Sequence, residues 1–330
     1  MKKSMAVICV IALLLAGCAS QMPAETTQQP TEETEMSLEM QWQSEPDLNG
    51  KKLLFVGDSF LFTGRAVLQN TAPEEENRRN DHGYFYQLCK ANGMDVSVTN
   101  WTYGGKGLQT IMDSYIPLLS DREYDYVILS GGRNSANTIA GLEATLDQYI
   151  ALFRGVNPKV QFIYLVTSGA HNISVKESFA IDVLNNLEKV EQKGIKVVDW
   201  GKLVADIIRG EVQVPGSTKT YDKYSFVHNK SLTDGFHPNQ LSGYITALMI
   251  YCAITGESAQ GQPYVFWNDS QLSTQFDYGK YLNYAYTLGL SNYGEVFESE
   301  ADMKGLQQLI DRYLAERTYL SYNFTRSIVP

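Results

Sequence analysis

The chain has 330 residues, with 37 acidic against 27 basic side chains, a formal net charge of −10 and an apolar content of 44%. An acidic surface of this kind repels polyanions, which argues against nucleic acid as a partner. Four cysteines at these separations match no zinc-type spacing, and no phosphate-cradling glycine loop or internal repeat is present.

The first residues, MKKSMAVICVIALLLAGCAS, place Lys2 and Lys3 before an apolar run from Met5 to Leu15. That run is too short to span a bilayer as a helix and reads as a leader. It closes on Leu15-Ala16-Gly17-Cys18, which resembles the lipobox of bacterial lipoproteins. The resemblance implies a signal peptide over 1–17, cleavage before Cys18, and lipid on its thiol; an ordinary secretory signal with an incidental cysteine is the alternative. The expected location is outside the cytoplasm, anchored to the bacterial cell membrane through Cys18 rather than spanning it. Residues 18–48 are polar, acidic and proline-dotted and predict a flexible tether. Cys9 leaves with the leader, so Cys89 and Cys252 remain, either as buried free thiols or as one disulfide.

About 280 residues follow, enough for one large domain with a substantial core. The apolar, β-branched runs KLLFV (52–56), DVSVTN (95–100), YDYVILS (124–130), VQFIYLV (160–166) and IKVVDW (195–200) predict buried strands. Helical patterns lie between them near 81–92, 107–119, 137–153 and 175–193, the last opened by Ser174 with Glu177 three residues on, a capping-box pattern. A further helical pattern, FLFTGRAVLQN, follows the first strand. Strand and helix alternating five times predict an α/β fold: three α/β/α layers around a five-stranded parallel sheet of the flavodoxin-like type. In such sheets function collects at the carboxyl ends of the strands.

Those ends carry the informative residues. The first strand breaks into Gly57-Asp58-Ser59; the second leads into NWTYGGKG (100–107), the third into SGGRNSAN (130–137). Near the last predicted helix of the main domain stands TDGFHPNQLSGYITALMIYCAITG, with Asp234 three residues before His237 and Pro238 directly after. A serine, a glycine turn, Gly132-x-Asn134 and Asp234-x-x-His237 in this order resemble the SGNH hydrolase superfamily, the GDSL esterases and lipases. The resemblance covers residues 52 to about 255 and rests on the order of the blocks, since no single block is specific. Two positions depart from the family pattern: Ser135 follows Asn134 where aspartate is usual, and Phe60 follows Ser59 where an aliphatic residue is common.

What the resemblance implies is a serine hydrolase without a cofactor or metal. A serine hydroxyl needs an adjacent base to become a nucleophile. His237 would supply that base, and Asp234 would hold its tautomer and stabilise the imidazolium. The oxyanion donors would be the N–H of Ser59, the N–H of Gly105 and the side-chain amide of Asn134, with Gly104 the rival for the second. The helix after Ser59 would add partial positive charge, and Pro238 suits the first turn of a helix with Leu241, Tyr244, Ile245, Leu248 and Cys252 on its apolar face.

Weaker candidates for substrate contact are Arg133, His171 and Tyr103. The segment 217–235 predicts a long loop whose Tyr221, Tyr224 and Phe226 face the pocket. Flat aromatics, Trp101 among them, set in polar loops suit a hydroxylated ligand, so the expected substrate is a small-molecule or glycan ester with a short acyl group, acetyl above all. Phe60-Leu61-Phe62 stands against that expectation if it floors an acyl pocket rather than forming helix core. A non-catalytic ligand-binding lipoprotein and an acyltransferase are the other function classes. The domain expectation is 49–260 for the hydrolase domain and 261–330 for a helical extension packed on it, with a helix in EADMKGLQQLIDRYLAERTYL and a second pattern through Phe276, Tyr281, Tyr284 and Leu288.

Overall fold

The strand segments are apolar at consecutive positions, so both faces of the sheet must be covered. In a computed structural model of the chain, described over residues 42–67, 83–131, 138–167, 181–227, 237–264 and 299–316, they do form one five-stranded sheet. The strands are β1 (Lys52–Gly57), β2 (Ser97–Thr102), β3 (Tyr126–Gly131), β4 (Gln161–Val166) and β5 (Ile195–Asp199). All neighbours are parallel, in the order β2-β1-β3-β4-β5. This is the doubly wound flavodoxin-like order, whose strand sequence reverses direction between β1 and β3.

Alternation along the strands divides the core into two layers. Leu53, Phe55, Tyr126, Ile128, Ile163, Leu165 and Val198 point to one face. There they meet helices α2 (Tyr84–Ala91), α7 (Trp200–Ile208), α8 (Gln240–Thr255) and α9 (Glu300–Glu316). Leu54, Val56, Val127, Leu129, Phe162, Val166 and Val197 point to the other. Helices α3 (Leu108–Ser114), α4 (Ile139–Arg154), α5 (Ile181–Leu184) and α6 (Leu187–Glu191) cover that side. Among the described residues no helix is long and apolar enough to cross a membrane.

Several element boundaries differ from the sequence reading, each for a local reason. Strand β2 runs two residues later because Trp101 and Thr102 pair with Val56 and Gly57 at the end of β1. The pattern over 107–119 breaks at Tyr115, where Pro117 starts a separate 3₁₀ turn, Ile116–Leu118. The described part of the 175–193 pattern is two short helices parted at Asn185–Asn186; Asn186 leaves helical geometry and donates its amide to Asp182 O at 2.7 Å. Its capping pair, Ser174 and Glu177, lies outside the described residues, as do Phe276 to Leu288. Helix α8 is buried at every position from Ser242 to Thr255 rather than along one stripe, because α2 and α9 flank it above the sheet. It begins at Gln240 with Asn239 as its cap, so Pro238 stands outside it.

Cys89 and Cys252 are free, buried thiols, and burial pushes both up from the ordinary thiol range. Helix α9 adds Met303, Leu306, Leu309, Ile310 and Tyr313 to the core. It is also tied by a buried polar contact: Asp206 Oδ2 accepts from Lys202 Nζ at 2.7 Å and from the Tyr313 hydroxyl at 2.6 Å. Asp206→Ala would take the carboxylate away from the buried Lys202 ammonium and the Tyr313 hydroxyl at once, so it should destabilise the fold by about 3 kcal/mol. Tyr313→Phe, which removes one hydrogen bond to a carboxylate, should cost about 1.5 kcal/mol; urea unfolding of the two variants checks the ranking.

Candidate active site

Strand β1 ends at the point where the strand order reverses, which is where a crevice opens in this kind of sheet. Its last residue, Gly57, has no room for a side chain, since a Cβ there would lie 2.5 Å from Ser130 Cβ on β3. Asp58 follows in extended geometry and caps the next turn, its Oδ1 accepting from Phe60 N–H at 3.0 Å. Ser59 is the first residue of α1 (Ser59–Phe62). That helix has 4 residues and stops at Thr63, well short of the sequence pattern. Gly64 follows, then Arg65 takes a left-handed φ of 64° that no helix continues. One turn supplies little dipole, so the field expected behind Ser59 is small. What this turn does offer is the Ser59 N–H itself, which meets no acceptor among the described residues.

The second half of the site arrives from the far end of the sequence. Residues 225–227 and 237–239 are laced together ahead of α8. Val227 and Pro238 form an antiparallel bridge, Asn239 N–H donates to Phe226 O at 3.1 Å, and Asn239 Nδ2 donates to Ser225 O at 2.9 Å. Asn239 Oδ1 accepts from Ser242 N–H at 3.1 Å and so caps α8. Phe226 and Tyr221, expected in a pocket lining, are instead buried in the core and stacked with centroids 5.5 Å apart. Of the three aromatics of this segment only Tyr224 is exposed. These contacts bring His237 to Ser59: Oγ and Nε2 are 2.8 Å apart. With the imidazole proton on Nδ1, Nε2 accepts the serine proton. Phe60 packs against the imidazole with ring centroids 5.5 Å apart. Phe60, Leu61 and Phe62 are all buried, and the first two belong to the core.

The glycine turn sits alongside. Tyr103 N–H donates to Gly57 O at 2.9 Å, and Lys106 N–H to Tyr103 O at 3.1 Å. Gly105 takes a φ of 70° at the third position of this turn, which a type II turn demands. A Cβ on Gly104 would lie 3.8 Å from the Phe62 ring, so the turn runs beside α1. Neither glycine N–H has an acceptor among the described residues. Tyr103 is half-buried and stacks on Tyr115, centroids 3.8 Å apart. Trp101, expected on the loop surface, is buried in the core, with its indole N–H donated to Tyr115 O at 3.1 Å.

Asp234, Arg133, Asn134 and His171 lie outside the described residues. Among the described residues no group of three or more His, Cys, Asp or Glu converges as a metal site. The sequence reading missed two positions that shape the site. Asp58 stood only as part of the break after the first strand, although its place two positions before Phe60 N–H is that of a cap. Asn239 was masked by Pro238, although an asparagine before an apolar helix is a cap signal.

Solved structures similar to this chain include an acetylxylan esterase from Geobacillus stearothermophilus, with 18% identity and a TM-score of 0.43 over 64% of this chain and 97% of that one. An α/β hydrolase enzyme from the Lake Arreo metagenome has 18% identity and a TM-score of 0.42, covering 63% and 96%. A protein described as GDSL-like lipase from Parabacteroides merdae has 15% identity and a TM-score of 0.43, covering 65% and 99%. No protein-family model matches the sequence, and no curated protein matches it.

Burial governs the acid beside the serine. Desolvation pushes the Asp58 carboxyl up to about 7, against the opposing pull of backbone N–H donors at Phe60 and at Asp58 itself. Burial, with the Asp199 and Asp58 carboxylates, likewise raises the Tyr164 phenol. Because the folded state holds the Asp58 proton more tightly than the unfolded chain, its stabilising contribution is full below pH 3.8 and is lost as pH rises to about 7. Asn caps as well as Asp and carries no charge, so Asp58→Asn should flatten the fall in Tm across that window. Thermal melts of both proteins in matched buffers check it; an unchanged slope contradicts the assignment.

Proposed function

We propose that this protein is a serine esterase of the SGNH hydrolase type, with Ser59 as nucleophile and His237 as base. One observation carries the reading: a serine hydroxyl at the switch point of a parallel sheet hydrogen-bonded at 2.8 Å to an imidazole nitrogen. Ser59 Oγ attacks the ester carbonyl carbon while its proton passes to His237 Nε2 and the carbonyl electron pair moves onto oxygen. The oxyanion is met by the N–H of Ser59, the N–H of Gly105 and the amide of Asn134. Collapse expels the alkoxide, which leaves with the proton from His237, and the acyl group stays on Ser59. Water, deprotonated by His237, then repeats the attack and frees the acid. Asp234 orients the imidazole and balances its charge. An alcohol in place of water makes the same acyl-enzyme an acyltransferase.

The acyl group we infer is short, acetyl above all, on a glycan or a comparable hydroxylated carrier. Supporting this are the burial of Phe60 and Leu61 in the core and the half-buried Tyr103–Tyr115 pair beside the glycine turn. The setting is a lipoprotein held at the outer side of the membrane through Cys18, with the leader and tether as read above and residues 261–330 packed on the hydrolase domain.

Three experiments test this reading. Ser59→Ala should abolish hydrolysis of nitrophenyl acetate with an unchanged Tm, and kcat/KM should fall along acetate, butyrate, octanoate and palmitate. Each added methylene would contribute about 0.8 kcal/mol only if a pocket buried it; a rate constant climbing to palmitate makes the protein a lipase instead. Cys18→Ser should move the protein from the membrane fraction to the soluble one, and unchanged fractionation rules out lipid on Cys18.

A further inference from the structure

The Ser59–His237 contact joins two short, stiff segments, and the two segments touch once more a few residues further on. From Ser59 the chain runs through α1, with Thr63 N–H bonded to Ser59 O at 2.9 Å and Arg65 N–H to Phe62 O at 3.0 Å. It reaches Gly64, where a Cβ would lie 2.6 Å from Asn239 O and 2.8 Å from Gly243 Cα and N. From His237 the chain runs through the capped start of α8, with Gly243 N–H bonded to Asn239 O at 2.9 Å. A Cβ on Gly243 would lie 1.6 Å from Gly64 O and 2.2 Å from the Gly64 carbonyl carbon. The backbone leaving α1 therefore rests directly on the first turn of α8, with no side chain between.

Nothing about α8 alone calls for glycine at 243, since glycine weakens a helix relative to alanine. The close approach does call for it. The chain is also held in place just beyond the contact: Arg65, a non-glycine residue, stays at φ 64° while its carbonyl accepts from Tyr84 N–H at 2.8 Å.

We propose that Gly64 and Gly243 are positioning residues, and that their backbone contact sets the distance between Ser59 Oγ and His237 Nε2. The catalytic consequence rests on the esterase reading; the geometric claim does not. A methyl at 243 forces the first turn of α8 to retreat from Gly64 by more than an ångström before a normal contact is restored, and His237 leads into that turn. Misplacement on that scale costs about 10²-fold in rate.

The control is built into the fold. Gly305 on α9 is packed comparably, its Cβ position 2.2 Å from Pro215 O. Gly305→Ala should lower Tm without moving the Ser59–His237 pair.

The experiment compares wild type, Gly243→Ala, Gly64→Ala, Gly305→Ala and Ser59→Ala by thermal melting, by kcat and KM on nitrophenyl acetate, and by the ¹⁵N spectrum of labelled histidine, with the His237 Nε2 signal assigned by its loss in His237→Ala. Gly243→Ala should reduce kcat about 10²-fold with KM little changed, and should shift the His237 signal toward its position in Ser59→Ala. Gly305→Ala should keep both at wild-type values despite its loss of Tm. Gly64→Ala, with the longer 2.6 Å approach, is the milder lesion and serves if Gly243→Ala does not fold. A wild-type kcat and His237 signal in the folded Gly64 or Gly243 variants overturns the proposal, as does an equal loss of kcat in Gly305→Ala. If wild type proves inactive while the His237 signal still moves in Gly243→Ala, the positioning role stands and the esterase reading falls.

Discussion

The hydrogen bond between Ser59 Oγ and His237 Nε2 spans 178 positions of sequence in 2.8 Å, and the surrounding architecture is arranged so that it can form. A serine hydroxyl left to water is not a nucleophile; its proton must be met by a base at hydrogen-bond distance. The sheet supplies one side by ending β1 at the reversal of strand order, where Gly57 lets β1 and β3 stay close up to the tip. Helix α8 supplies the other. It is buried at every position from Ser242 to Thr255, and so makes a rigid mount for the histidine just ahead of it. Residues 225–227 then lock the approach to that helix through Asn239 and Pro238.

Much of the energetic cost of this arrangement sits in buried polar groups. Asp58 is 3% exposed and must either keep its proton or satisfy a charge with backbone N–H donors, its partners among the described residues. It does some of each, and in doing so caps the turn that presents Ser59. Lys202 and Asp206 solve the same problem by pairing, and Tyr313 joins them from α9. Desolvation consumes much of the Coulomb energy of such a pair, so the pair is better understood as fixing where α9 docks than as a source of net stability.

The parallel α/β plan was legible in the sequence because β-branched, doubly buried strands such as YVILSG and QFIYLV leave a continuous apolar signature. Ser59 and His237 were legible because each stands where such a strand or helix abruptly meets polar turn residues. Where each element stops was less so. Helix α1 looks long by periodicity, yet it ends after 4 residues because Gly64 must approach Gly243, a contact invisible to local pattern. Tyr221, Phe226 and Trp101 looked like pocket aromatics because their neighbours are polar, but tertiary packing buries all three. Cross-chain steric demands of this kind lie at the level of packing, which propensity and periodicity do not encode.

Covalent capture of the nucleophile tests the central claim most directly. The protein would be incubated with a fluorophosphonate at neutral pH and the modified peptide located by mass spectrometry. The account predicts one phosphonate per chain, on Ser59, formed at a rate that collapses in His237→Ala. Wild-type protein that stays unlabelled, or that carries the label on a different serine, would contradict it.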